Sequence, residues 1–148
     1  AALTLVAGPA LALVGSAIAV AILMLVRGGH WPTAALAWCT MAALPVAVTW
    51  GTLRFAERRL PPNFFIYVFV VAFFGAALSL VAAGLAGALV LTLGGGRAAG
   101  VVFGDYVPYL AYLAFGEATL NGMAMTLFIV YRPHWVATFD DARYIDGR

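Results

Sequence analysis

From 63 to 93 the chain carries no charged residue, and neither does the stretch 1–26. About 20 apolar residues cross a hydrocarbon core, so each run is long enough to span a bilayer. The composition agrees, with 65% hydrophobic and only 9% charged residues. A soluble domain needs roughly a quarter charged residues to cover its surface. The chain is therefore expected to be an all-α, polytopic transmembrane helix bundle.

Four spans are expected, at about 1–26, 33–53, 63–93 and 106–131, followed by a polar tail over 132–148 too hydrophilic to cross. The chain opens at Ala1 inside an apolar run, so further N-terminal spans are expected before it. In the first span Gly8, Ala12 and Ser16 recur every four residues, a pattern that lets another backbone approach. Pro9 marks a first turn or a kink, and Pro45 is expected to bend the second span. The third span exceeds one perpendicular crossing, so it is either a tilted helix or one broken near Gly75. Gly75, Ser79, Ala83 and Gly87 form a stripe of small residues on it and are the expected helix-packing face.

All eight basic residues are arginine. With four spans, Arg54, Arg58, Arg59, Arg132, Arg143 and Arg148 fall on one side and Arg27 and Arg97 on the other. The arginine-rich side is expected to be cytoplasmic, which places the elbow 54–63 and the C-terminal tail there as docking surfaces for partners. Arg54, Arg58, Arg59 and Arg132 are the candidate docking residues. Scattered arginines do not make a nucleic-acid surface, which needs a clustered basic face. The aromatic residues agree with two interfaces: Trp50, Tyr131 and Trp135 at one, and Trp31, Tyr106 and Tyr109 at the other.

The fourth span carries the one carboxylate in a membrane interior, Glu117, with Asn121 one turn further on. Spacing i, i+4 puts the two on one helical face. An ionisable group at that depth costs about 2.5–3.5 kcal/mol on insertion scales, so it must face protein, water or a partner. Glu117 and Asn121 are candidates for a cation path. The alternative is a protonated Glu117 bonded to Asn121 and a neighbouring helix as structural glue.

Other chemistry is sparse. The serines are Ser16 and Ser79, neither in a nucleophile elbow. His30 and His134 fall at opposite membrane faces, and no zinc-protease or paired-cysteine motif is present. No enzyme activity is expected, and no covalently bound cofactor. His30 is a candidate ligand for a divalent ion such as nickel, cobalt or copper; its plainer reading is a polar turn residue. Cys39 reads as a small core hydrophobe. The glycine-rich connection 94–105 lacks the Gly-Lys-Ser/Thr of a phosphate loop. Asp140, Asp141 and Asp146 lack calcium-loop spacing, and the tail reads as solvated and partner-facing.

Three segments, ERRLPPNFFIYVFVVAFFGAALS, DYVPYLAYLAFGEATLNGM and YRPHWVATFDDARYIDGR, resemble the energy-coupling-factor transporter permeases of the bacterial inner membrane. They are similar to the cobalt/nickel substrate-capture component. The resemblance covers about 57–148, and it includes the Gly116-Glu117 step with Asn121 and the Arg132-Pro133 step after the last span. It implies a multi-pass permease subunit that takes a small cation, cobalt or nickel, as its substrate and works with a coupling subunit and ATPases. It also implies a metal site built on an N-terminal Met-His segment, which has no counterpart here. The rival reading is an accessory subunit without a transported substrate, packed by its small-residue stripes against a larger membrane complex.

Overall fold

A computed structural model describes residues 1–27, 30–94, 96, 98–140 and 144. Gly28, Gly29, Gly95, Arg97, Asp141, Arg143, Asp146 and Arg148 lie outside the described residues. The described chain is a bundle of four long helices preceded by a short one: α1 (Ala2–Ala7), α2 (Pro9–Arg27), α3 (Trp31–Arg59), α4 (Phe64–Leu93) and α5 (Ala99–Tyr131). A single 3-10 turn, Pro133–Trp135, follows α5. The four long helices are apolar and long enough to cross a membrane, which makes the chain an all-α polytopic bundle.

The first apolar run is not one rod. Gly8 adopts φ +84°, a left-handed conformation that glycine tolerates and other residues rarely adopt. It ends α1, and Pro9 then opens α2, where its missing N–H costs nothing. Of the expected small stripe, Gly8 is thus the break between two helices, whereas Ala12 is buried and Ser16 accepts a 3.1 Å hydrogen bond from Trp38 Nε1 on α3.

Helix α3 runs on through Arg54, Arg58 and Arg59 and stops at Leu60, because nothing breaks it before Pro61. Arginines in a last turn complement the negative end of the helix dipole. The elbow is therefore confined to 60–63, and Asn63 caps α4 by accepting the Phe65 N–H at 2.8 Å. Helix α5 begins at Ala99, ahead of the expected 106, so much of the glycine-rich connection is helical.

Each of α3, α4 and α5 contains a π-helical stretch: Cys39–Ala43, Tyr67–Phe74 and Val102–Tyr106. Two have a local cause. A proline ring collides with the carbonyl four residues back; for Pro45 and Pro108 those carbonyls belong to Met41 and Gly104, each inside a π stretch. Widening the turn accommodates the ring. The α4 stretch has no such proline. It keeps α4 continuous past Gly75, where the backbone returns to α-helix.

The core joins α1, α3, α4, α5 and the tail. Leu5, Leu53, Tyr67, Val71, Ala72 and Met125 are each at most 1% exposed. Val136, Phe139 and Tyr144 pack into the same core, so the described tail is folded against the bundle rather than solvated. The rings of Tyr67, Phe139 and Tyr144 lie 5.0–5.2 Å apart, and burying three aromatic faces together outweighs the polarity of the tail around them. The backbone follows: Ala137 N–H donates to the Val6 carbonyl at 3.0 Å and Thr138 N–H to the Leu5 carbonyl at 3.3 Å. Cys39 is exposed on α3 rather than buried.

A polar interior in the helix bundle

Glu117 and Asn121 occupy the middle of α5, with Glu117 about 21 Å from Tyr131 and about 27 Å from Ala99 at 1.5 Å per residue. They share a face but meet different neighbours. Asn121 is 4% exposed. Its Nδ2 donates to the Ala72 carbonyl on α4 at 2.6 Å, so the amide is bonded across the helix pair rather than to Glu117. Ala72 lies within the π stretch of α4, close to its return to α-helix at Gly75. Such stretches lack a full set of regular backbone bonds and recur at functional sites. Asn121 supplies a side-chain donor at that irregular backbone, a cause for the stretch where no proline acts.

Glu117 is half-buried. The start of α1 lies near it. From there α1 descends along the interior to the tail bonds at Leu5 and Val6. Buried polar residues come one from each packed element: Thr4 on α1, Thr49 on α3, Ser79 on α4 and Asn121 on α5. Ser79 satisfies itself by donating to the Ala76 carbonyl at 2.8 Å. Thr49 Oγ1 and Asn121 Oδ1 have no hydrogen-bond partner among the described residues. Thr49 was not legible as a polar site residue, because a lone threonine in an apolar span normally bonds its own helix.

The remaining candidates separate. His30 is exposed at the start of α3, at the far end of the bundle from His134. No group of three or more His, Cys, Asp or Glu side chains is placed to hold a metal ion among the described residues. Arg54, Arg58 and Arg59 converge on one groove beside Gly51 and Phe55, whereas Arg132 lies over the Trp135 ring at 5.8 Å. The stripe Gly75, Ser79, Ala83 and Gly87 is buried or half-buried. Its glycines meet α3: a Cβ on Gly75 would lie 3.6 Å from Thr52 Cγ2, and one on Gly87 2.9 Å from Met41.

A second small face was missed. Ala76, Gly84 and Ala88 on α4 oppose Leu110, Ala114, Ala118 and Gly122 on α5, all buried. A Cβ on Gly84 would run into the Leu110 side chain. The signal was present in the four-residue spacing of Ala114, Ala118 and Gly122. An apolar groove of about 380 Å³ lies outside the same pair, lined by Phe69, Phe73 and Met123 among others. Its threonines, Thr119 and Thr126, donate to carbonyls of their own helix at 2.8 Å, and no charged side chain lines it.

A bundle of four membrane-spanning helices around a carboxylate, an amide and a buried hydroxyl defines a polytopic membrane protein with a polar interior. The family model described as the cobalt uptake substrate-specific transmembrane region matches residues 1–135. The chain belongs to that family, which is one of transport components and not of enzymes. The match takes in α1, α2 and α3, which read from the sequence as generic hydrophobic helix, and ends at Trp135 within the 3-10 turn. No curated protein and no solved structure matches the chain.

Proposed function

We propose that the chain is the membrane capture subunit of an energy-coupling-factor uptake system, working with a coupling subunit and ATPases and taking cobalt, or nickel, as substrate. The proposed setting is a bacterial inner membrane with the elbow and tail in the cytoplasm, following the arginine distribution. The family supports cobalt uptake as the activity. The observation that carries a role for particular residues is Glu117 at mid-membrane depth, together with the buried oxygens of Asn121 and Thr49. A cation crossing the bilayer must exchange its hydration for protein oxygens. Carboxylate, carbonyl and hydroxyl oxygens supply that exchange without holding the ion tightly, and a transit site must release what it binds.

In this reading Glu117 provides the charge, and Asn121 fixes α5 against α4 so that its free Oδ1 and the carboxylate keep their depth. The test is uptake of radioactive cobalt by cells that lack their own system and express the full-length protein with its partner subunits. Glu117→Gln keeps shape and hydrogen-bonding capacity but removes the charge. Uptake is expected to fall at least about tenfold, equivalent to about 1.4 kcal/mol, with the protein still present in the membrane at wild-type level. Undiminished uptake in that variant would remove the carboxylate from the path and favour the glue reading.

A further inference from the structure

The elbow end of α3 carries a feature that cation uptake does not use. Arg54, Arg58 and Arg59 are exposed and line one groove of about 340 Å³ with Gly51 and Phe55. The Arg54 guanidinium carbon lies over the Trp50 ring, 5.0 Å from its centroid, a cation–π contact that positions the charge at the mouth of the groove. A second groove, of about 450 Å³, runs away from this mouth between α3 and α4. It shares Gly51 and Phe55 with the first and continues along Val48, Val70, Phe74 and Leu78. Phe55, Phe74 and Leu78 are 54–58% exposed, and the floor at Gly51 is open, since a Cβ there would meet nothing within 4 Å.

We infer that this composite groove is a binding site for one anionic phospholipid, the phosphate held by Arg54, Arg58 and Arg59 and an acyl chain laid along the α3–α4 channel. Three features select that occupant. Guanidinium groups bind phosphate oxygens in a two-pronged geometry. The basic mouth sits where α3 leaves the apolar layer, at Trp50, which is the depth of a headgroup. The channel beyond the mouth is apolar and opens sideways along the helices, so it suits a hydrocarbon chain and not a free anion. Glu57, the one acidic residue in this turn of α3, is half-buried and does not line either groove.

The test is native mass spectrometry of the full-length protein released from micelles containing phosphatidylglycerol or phosphatidylcholine. Phosphatidylglycerol is expected to be retained in preference, with each arginine replaced by glutamine weakening retention about fivefold. Gly51→Phe, which fills the channel floor without touching the protein interior, is expected to abolish retention while leaving the thermal midpoint unchanged. Equal retention of the two lipids overturns the proposal, as does a Gly51→Phe protein that still holds phosphatidylglycerol. Displacement by glycerol phosphate as effectively as by the lipid would reduce the site to an anion cradle and overturns it too. Arginine variants that keep the lipid but lose a co-purifying membrane subunit would assign the surface to protein docking, and the lipid site would fall with them.

Discussion

Asn121 shows how a single side chain is held in an apolar interior. Its amide nitrogen is bonded to Ala72 while its oxygen is left without a partner among the described residues, so its contribution to stability is a small difference between two terms. Interhelical hydrogen bonds in membranes average about 0.6 kcal/mol and reach about 1.7. Asn121→Leu is thus expected to lower stability within that range, read as the thermal midpoint in detergent; a rise would show that the orphaned oxygen costs more than the amide bond returns. Gly84 is a clearer case. Its Cβ position is already filled by Leu110, and overpacking typically costs about 1–3 kcal/mol. Gly84→Val should lose that much, whereas Gly116→Ala, where nothing lies within 4 Å, should be silent in the same assay. Equal midpoints for the two variants would contradict the close approach of α4 and α5. The amide's partner could not be read beforehand, because a backbone carbonyl carries no mark in the sequence. The carboxylate could, because a charge is conspicuous in an apolar run.

At the scale of elements, the spans were legible because the bilayer sets one dominant requirement, a long apolar run, and nothing in the chain competes with it. Their internal geometry was not. Pro45 announced a distortion, and the structure resolves it as a π stretch centred on the carbonyl that the ring displaces. The stretch at Tyr67–Phe74 has no such announcement, since its cause lies on another helix. The tail misled through composition: its charges read as solvated, while Val136, Phe139 and Tyr144 are spaced to turn inward together. Thr138 fastens it. Its hydroxyl donates to the Leu5 carbonyl at 2.8 Å and, with that hydrogen committed, receives the Tyr67 hydroxyl at 2.6 Å. Thr138→Val removes both bonds at nearly constant shape, and a net hydrogen bond is worth about 0.5–1.5 kcal/mol. Amide exchange over α1 should accelerate by about tenfold or more, a change that exchange mass spectrometry resolves peptide by peptide. Unaltered protection at Leu5 and Val6 would show that aromatic packing alone secures the tail.

For the molecule as a whole, the order of the helices places the elbow and tail at one end and His30 at the other. In the proposed topology, which rests on the arginine distribution, the elbow end faces the cytoplasm. In a background where Cys39 is replaced by serine, Arg58→Cys and Arg132→Cys are expected to resist an impermeant maleimide applied to intact cells, and His30→Cys to react. Labelling of Arg132→Cys from outside would invert the topology. The oxygens proposed to meet a cation lie midway along the bundle, and the groove proposed to hold a lipid opens at the elbow end.

The tail's grip on α1 also sets a timetable. The two residues joined by the Thr138 hydroxyl are 133 positions apart. At about 5–20 residues per second, a ribosome needs roughly 7 to 27 s to deliver the second after the first. Through that interval Leu5 and Val6 have no strap, although they are made before α2, α3, α4 and α5. Helix α1 is thereby locked after the helices that follow it, and newborn protein passes through a stage in which α2 to α5 are inserted but the wall beside Glu117 is still loose.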